Sequence, residues 1–396
     1  MLLRAPIRLD LHAADLAAGL AASLLPAAGE RAADRLREVW PKDRRTLVAL
    51  NVRSGLDLFL QAAALPADSE VVASAVTHPD MVAILKNHGL VALPADLDAA
   101  RAAPTPDALQ RAVGPGTRAV MVAHLFGARA SMDPIAALCR ERGLLLIEDC
   151  AQCYDGRYFG HPQADVALFS FGPLKTATAL GGALLCIRDE ALYARMRAIL
   201  AGYPLQGRRE YLRRLVKYGA FQFGLSSRLI YGGFYWFLER AGYPAAEVMR
   251  SWAKSIPGPP DPGCLRKRPA PALLALLARR LGAGLGRLDA RTRAGKFLAA
   301  RIPAVERPGA AGIEPTFWIF PVLVEDPEGA LQRLHAAGFQ GMGGLSNLTV
   351  VEAPRQRPDL EPGEAKRMIA RSLLVPAYPE LPEGELQRIA AVLNGL

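Results

Sequence analysis

The sequence has little of what would mark it as a secreted, disordered or repetitive protein. Only five of its 396 residues are cysteine (Cys139, Cys150, Cys153, Cys186 and Cys264), an odd number in a long chain. That excludes a disulfide framework and fits a reducing compartment. Cys150 and Cys153 form one C-x-x-C, but no second pair or histidine cluster accompanies it in the sequence, so no metal site is expected. The first dozen residues are interrupted by Arg4, Arg8, Asp10 and His12 and never form the apolar core of a signal peptide, so a cytoplasmic location is expected. There is no internal repeat and no low-complexity tract beyond a bias toward Ala and Leu. Apolar residues make up 51% and charged residues 22%, which excludes disorder and collagen-like repetition.

What is present is length enough for two or three domains with buried cores. The net charge is +10, and it is uneven. Residues 201–300 carry 18 Lys and Arg against 5 Asp and Glu, a net of +13, leaving −3 for the rest. The basicity therefore belongs to one segment. From about residue 46, short apolar runs alternate with amphipathic stretches. Strands are predicted at 47–51, 71–75, 90–94, 119–124, 144–148, 166–171 and 183–187. Helices are predicted at 55–64, 79–88, 106–113 and 133–142. This alternation predicts an α/β domain with a mainly parallel sheet covered on both faces. In such sheets ligands sit beyond the carboxyl ends of the strands, which is where Asp149 and His124 fall. Residues 200–265 break the rhythm. Beyond them come predicted helices at 271–281 and 285–300, a strand at 316–324, and helices at 328–337 and 383–393. The expected organisation is a large domain over 1–299, with an insertion at about 203–265, and a small α+β domain over 300–396.

Two segments carry chemistry: Leu-Ile-Glu-Asp-Cys-Ala-Gln at 146–152, and Leu-Phe-Ser-Phe-Gly-Pro-Leu-Lys-Thr-Ala-Thr-Ala-Leu-Gly-Gly-Ala at 168–183. They offer a carboxylate at a strand end, then a hydroxyl, a lysine and a Gly-Gly pair in a loop of small residues. A lysine that bonds an aldehyde cofactor needs a pocket, and a pyridinium nitrogen needs a carboxylate partner.

The ordered run E-D-x-A-Q, S-F-x-x-x-K and G-G resembles the DegT/DnrJ/EryC1/StrS aminotransferases, pyridoxal phosphate enzymes that aminate keto-sugars on nucleotide carriers. Val-Ala-His-Leu-Phe-Gly before Met-Asp-Pro, and Leu-Val-Pro-Ala-Tyr-Pro-Glu-Leu near the end, support the likeness, which covers 45–200 and 266–396. The resemblance implies a type I pyridoxal-phosphate aminotransferase fold and a homodimer with sites at the interface. It implies an amino acid donor, plausibly glutamate. The acceptor would be a keto or aldehyde group on a sugar-nucleotide-like or lipid-linked molecule. Lys175 would form the internal aldimine with pyridoxal 5'-phosphate, and Asp149 would pair with the pyridine nitrogen. Gln152 would bond the ring hydroxyl and Ser170 a phosphate oxygen. Gly55 and Leu56 would give backbone amides to the phosphate at a helix start. His78 occupies the place of the ring stacked on the cofactor, with a mere cap of the helix beginning at Pro79 as the alternative. Arg266 would reach a phosphate across the dimer.

The chain departs from the family pattern in three places. Ser54-Gly55-Leu56 replaces Ser-Gly-Thr, Thr178-Ala179-Leu180-Gly181-Gly182 lacks the usual Glu, and Arg266-Lys267-Arg268 replaces Asn-x-Arg. These changes point to an atypical substrate. A pyridoxal-phosphate-dependent dehydratase, or a non-catalytic membrane-associated relative, stays open as an alternative.

Residues 203–252 hold 12 of the 27 aromatic residues. Arg228, Gln222, two serines and four glycines in 218–238 argue against a spanning helix. Two readings remain: a surface lying on an anionic membrane, peripheral at its inner face, or aromatics that fill a dimer interface or roof the active site. Nothing else in the sequence supports nucleic-acid binding.

Overall fold

The computed structural model describes residues 3–24, 45–245, 261–344 and 348–396, together with 32, 35, 36, 38, 40, 41 and 248. Residues 246, 247 and 249–260 of the expected insertion, Trp252 among them, lie outside the described residues.

Seven strands form the main sheet: β1 (Arg45–Ala49), β2 (Glu70–Ser74), β3 (Val91–Ala95), β4 (Thr117–Ala123), β5 (Leu145–Asp149), β6 (Val166–Ser170) and β7 (Ala183–Ile187). Their order is β3-β2-β4-β5-β6-β7-β1. The first five are parallel, while β7 runs antiparallel to both neighbours. The mainly parallel α/β sheet is as the apolar runs predict. Strands β6 and β7 are buried along their whole length, because helices cover both faces of the sheet.

One face packs Leu47, Leu168 and Leu185 against Leu56 and Phe59 of the helix Val52–Ala63 and Leu192 and Met196 of the helix Glu190–Ala201, and the other packs Phe169 and Phe171 against Leu273 and Leu276. Side-chain caps set the helix starts, as where Thr105 accepts the Ala108 amide at 3.1 Å. Register places Ala123 opposite Asp149, and Asp149 opposite Leu168. The carboxyl ends of β4, β5 and β6 therefore finish at one edge, bringing His124, Asp149 and Ser170 together.

The first helix of this region starts earlier than its sequence suggests. It runs Val52–Ala63, with Asn51 as its cap accepting the Ser54 amide at 2.9 Å. The predicted strand at 316–324 is shorter, covering only Phe320–Leu323, because Phe317 takes a left-handed backbone at φ 51°. That strand joins Ser372–Val375 and Met342–Gly343 in a small antiparallel sheet. Leu298, Val322, Leu334, Leu373 and Ile389 share the core beneath it.

Where the sequence rhythm breaks, the chain forms two helices, Arg208–Ser226 and Arg228–Arg240, joined at Ser227. The N-terminal segment threads between the parts. Leu3, Leu9 and Leu11 are fully buried, and Arg4 pairs with Glu385 at 2.6 Å.

Candidate functional site

The lysine loop runs from Phe171 to Gly182 between β6 and β7, and its shape is held from inside. The Phe171 carbonyl accepts the Ala179 and Gly181 amides at 3.1 and 3.0 Å. Thr178 Oγ1 donates to the Gly172 carbonyl at 2.6 Å and accepts the Leu180 amide at 2.9 Å. Ala177 and Leu180 adopt left-handed backbones, φ 50° and 61°, which cost L-residues energy and need such anchoring. A further anchor comes from far away: Asp10 Oδ2 accepts the Ala177 amide at 2.6 Å.

This loop delivers Lys175 to the strand ends. Its Nζ lies 3.7 Å from the centroid of the Trp318 ring. It has no hydrogen-bond or ion-pair partner among the described residues. Burial pulls its ammonium down to about 8, against the opposing pull of Asp149 and Cys153.

Asp149 ends β5 almost completely buried, and burial raises its carboxyl above the ordinary range. The Ala151 amide, Lys175 and His124 pull it back. Only Oδ1 is occupied, by the Ala151 amide at 2.9 Å; Oδ2 has no partner among the described residues.

Behind Asp149 lies a fully buried pair that sequence reasoning missed. His124 Nε2 stands 2.7 Å from Glu148 Oε1, and both side chains are wholly enclosed. Nδ1 of His124 accepts the Ala130 amide at 3.0 Å, which assigns the ring proton to Nε2. Glu148 also accepts from the Tyr158 hydroxyl and, at 2.7 Å, from the His161 amide. Burial opposes both charges. Even so, Cys153, Glu148 and Asp149 raise the His124 pKa, while His124 and Tyr158 lower that of Glu148. A glutamate inside a wholly apolar parallel strand was the available signal.

Gln152 uses its Oε1 to accept the Phe126 amide at 2.8 Å, pinning a turn in which Phe126 is left-handed. Its side-chain NH2 has no partner among the described residues. Ser170 Oγ accepts the Gly172 amide at 3.4 Å. His78 caps its helix, Nδ1 accepting the Asp80 amide at 3.2 Å. Burial, with Arg53 and Lys175, holds its imidazole down to about 4 despite Asp80. The influence of Lys175 marks the two as neighbours.

Three sequence-based positions differ from expectation. The Gly55 amide donates to the Asn51 carbonyl at 3.0 Å, and Leu56 follows it inside the helix, so neither amide is open to a phosphate. The helix starts a turn earlier, at Val52. Arg266 is spent elsewhere: its guanidinium forks onto Asp57 at 3.0 and 3.1 Å, a carboxylate that also binds His88 and Gln61. Lys267 and Arg268 are likewise held, by Glu210 and by the Tyr203 carbonyl.

His124, Cys150 and Cys153 place a nitrogen and two sulfurs within 4.8 Å. Both ring nitrogens of His124 are already bonded, and burial holds the Cys150 thiol protonated, so the group packs rather than ligates. A cavity of about 360 Å³ touches the lysine loop only at Ala177. The arginines that line it are paired with Asp10, Asp15 and Glu380.

Residues 42–229 match the model of the DegT/DnrJ/EryC1/StrS aminotransferase family. The chain is 30% identical over 151 residues to an L-glutamine:2-deoxy-scyllo-inosose aminotransferase of Streptomyces kanamyceticus. That alignment spans 37% of this chain and 35% of the relative, about a third of its length. Among solved structures, a DegT DnrJ EryC1 StrS aminotransferase from Brucella abortus superposes with a TM-score of 0.69 at 17% identity, covering 96% of this chain and 95% of that one. A Bacillus subtilis protein solved with the bound cofactor PMP has a TM-score of 0.70 at 15% identity, covering 97% of this chain and 82% of that one. At such identities the structures speak for the fold alone. Residues 42–229, a little under half of the chain, therefore resemble the DegT/DnrJ/EryC1/StrS aminotransferase family, and the chain as a whole has the fold of type I pyridoxal-phosphate enzymes.

Proposed function

We propose that this protein is a pyridoxal-phosphate-dependent aminotransferase that moves an amino group from an amino acid to a keto or aldehyde group of a sugar-like acceptor. One observation carries the reading. A half-buried ammonium (Lys175) and a buried carboxylate (Asp149) influence each other at the strand ends, and each keeps bonding capacity unfilled by the described residues. Burial without partners is costly, and an aldehyde-bearing pyridinium would satisfy both groups at once. The residues fit the cofactor: Lys175 would hold its aldehyde carbon, Asp149 its ring nitrogen, the Gln152 NH2 its ring hydroxyl, and Ser170 a phosphate oxygen. The start of the helix Val52–Ala63 takes the phosphate role in place of Gly55 and Leu56. Arg266, tied to Asp57, has no part in it. The bound cofactor supplies an electron sink.

The chain's own contribution is placement and proton handling. With its amine drawn down to about 8, Lys175 is partly neutral near physiological pH and can take a proton from the substrate carbon and return it. Lys175 and His124 oppose the rise that burial gives Asp149, and a charged carboxylate at this place would keep a ring nitrogen protonated. His78, neutral and half-exposed, lines the approach.

The reading includes glutamate as donor and a homodimer in the cytoplasm. The chain divides into a cofactor domain over 1–299 and a small domain over 300–396. A peripheral place on the inner face of a membrane goes with a lipid-linked acceptor. Among the described residues no helix is long and apolar enough to cross a membrane. The test is the donor half-reaction. Enzyme loaded with pyridoxal phosphate is mixed with L-glutamate, and 2-oxoglutarate is measured against the bleaching of the visible band. Stoichiometric 2-oxoglutarate is expected. A band unchanged by glutamate, glutamine and the other amino acids would sink the aminotransferase reading.

A further inference from the structure

Of the 13 large hydrophobic residues exposed among the described residues, eight lie between 205 and 243. Six of them sit on the helices Arg208–Ser226 and Arg228–Arg240: Val216, Phe223, Leu229, Ile230, Trp236 and Phe237. Each helix has already buried a full face. Tyr211, Leu215, Tyr218 and Leu225 point inward on the first, where the Tyr211 hydroxyl donates to the Ala179 carbonyl at 2.8 Å. Tyr231, Tyr235 and Leu238 do so on the second. The apolar residues outside are therefore a second face. On the first helix, Arg209, Arg213, Val216, Ala220 and Phe223 follow at spacings of four, three, four and three, one exposed stripe that is basic at one end and apolar at the other. On the second, Leu229, Gly233, Trp236 and Arg240 repeat the spacing, with Ile230 and Phe237 alongside.

The geometry points to an anionic bilayer as the occupant of this face: apolar residues enter the headgroup boundary while the arginines meet lipid phosphate. This deepens the membrane reading above and rests on it. Charge argues for lipid over a second copy of the chain. Residues 203–245 carry seven Lys and Arg against two Glu, a net of +5. The first of those glutamates, Glu210, is bound to Lys267. A two-fold contact sets the same patch against itself, which would bring Arg208, Arg209, Arg213 and Lys217 of both copies together. Anionic headgroups reverse that repulsion, and Trp and Phe beside arginine suit the water–lipid boundary.

Flotation of the full-length protein tests this, with vesicles of phosphatidylcholine alone and of phosphatidylcholine with phosphatidylglycerol. The protein is expected to float with the anionic vesicles and to leave them at high salt. Trp236→Glu with Phe237→Glu should cut the bound fraction about tenfold or more, and Arg209→Glu with Arg213→Glu should abolish the preference for phosphatidylglycerol. Light scattering of the same variants checks folding and oligomeric state. Three results would overturn the proposal: wild-type protein that stays at the bottom with both vesicles, variants that float as wild type does, or a Trp236→Glu/Phe237→Glu protein that loses its oligomer with flotation unchanged. The last would make the face a contact between copies. The donor half-reaction needs no vesicles, so its failure would tell against the transaminase reading alone.

Discussion

The Lys175 Nζ lies over the ring of Trp318, 3.7 Å from its centroid, and the indole N–H of Trp318 donates to the Leu174 carbonyl at 2.6 Å. One tryptophan therefore holds the backbone beside the lysine and faces its charge. It comes from the C-terminal part of the chain, just before the strand Phe320–Leu323. The ring's quadrupole favours the ammonium, while the burial of Lys175 is the larger effect and works against it.

Capture of pyridoxal phosphate needs the neutral amine, so its rate should follow deprotonation of Lys175. The rate should rise about tenfold per pH unit below 8 and level off above it. Asp149 holds the amine's pKa up, so Asp149→Asn should move the midpoint to lower pH. Stopped-flow absorbance on the apoenzyme reads both. A midpoint that moves upward in Asp149→Asn would show that the carboxylate does not act on Lys175.

The buried His124–Glu148 pair should be a main support of the strand edge that carries Asp149. Glu148→Gln removes one partner from a fully enclosed pair and should cost about 3 kcal/mol, read by urea unfolding. The sign with pH follows from the shifts. Glu148 is depressed, so its contribution is present above the ordinary glutamate range and lost as pH falls through its folded value. The gap between wild type and variant should be widest above that limit and shrink as pH falls through it. A gap independent of pH would argue against an ionised Glu148.

Arg266→Met separates two roles for that arginine. If it only braces Asp57, stability should drop by about 1 kcal/mol, since its side chain is partly exposed, and the affinity for pyridoxal phosphate should stay within about twofold. A tenfold loss of cofactor affinity with little change in stability would place Arg266 on a phosphate after all.

The sheet was legible in the sequence because fully buried strands are short apolar runs, and the place of Asp149 and Lys175 at the strand ends was legible because each ends or follows such a run. Contacts over long separations were not. Asp57 and Arg266 stand 209 positions apart, Ala177 and Asp10 167 apart, and Trp318 reaches back 144 to Leu174. The start of the helix at Val52 was hidden because Asn51 is one of several polar residues able to cap it. The helices at 208–240 were hidden for a different reason. Apolar residues on both the inner and outer faces erase the periodicity by which an amphipathic helix is recognised.

The central claim is that Lys175 bonds the cofactor covalently while Asp149 faces its ring nitrogen. The most direct measurement is the visible spectrum of the protein with pyridoxal phosphate, before and after borohydride, for wild type and Lys175→Ala, with peptide mass analysis of the reduced samples. The account predicts a visible band in wild type, its loss on reduction, and a cofactor mass fixed on the peptide containing Lys175. Lys175→Ala should show neither. A band of equal strength in Lys175→Ala, or a reduced cofactor found on another lysine, would contradict it.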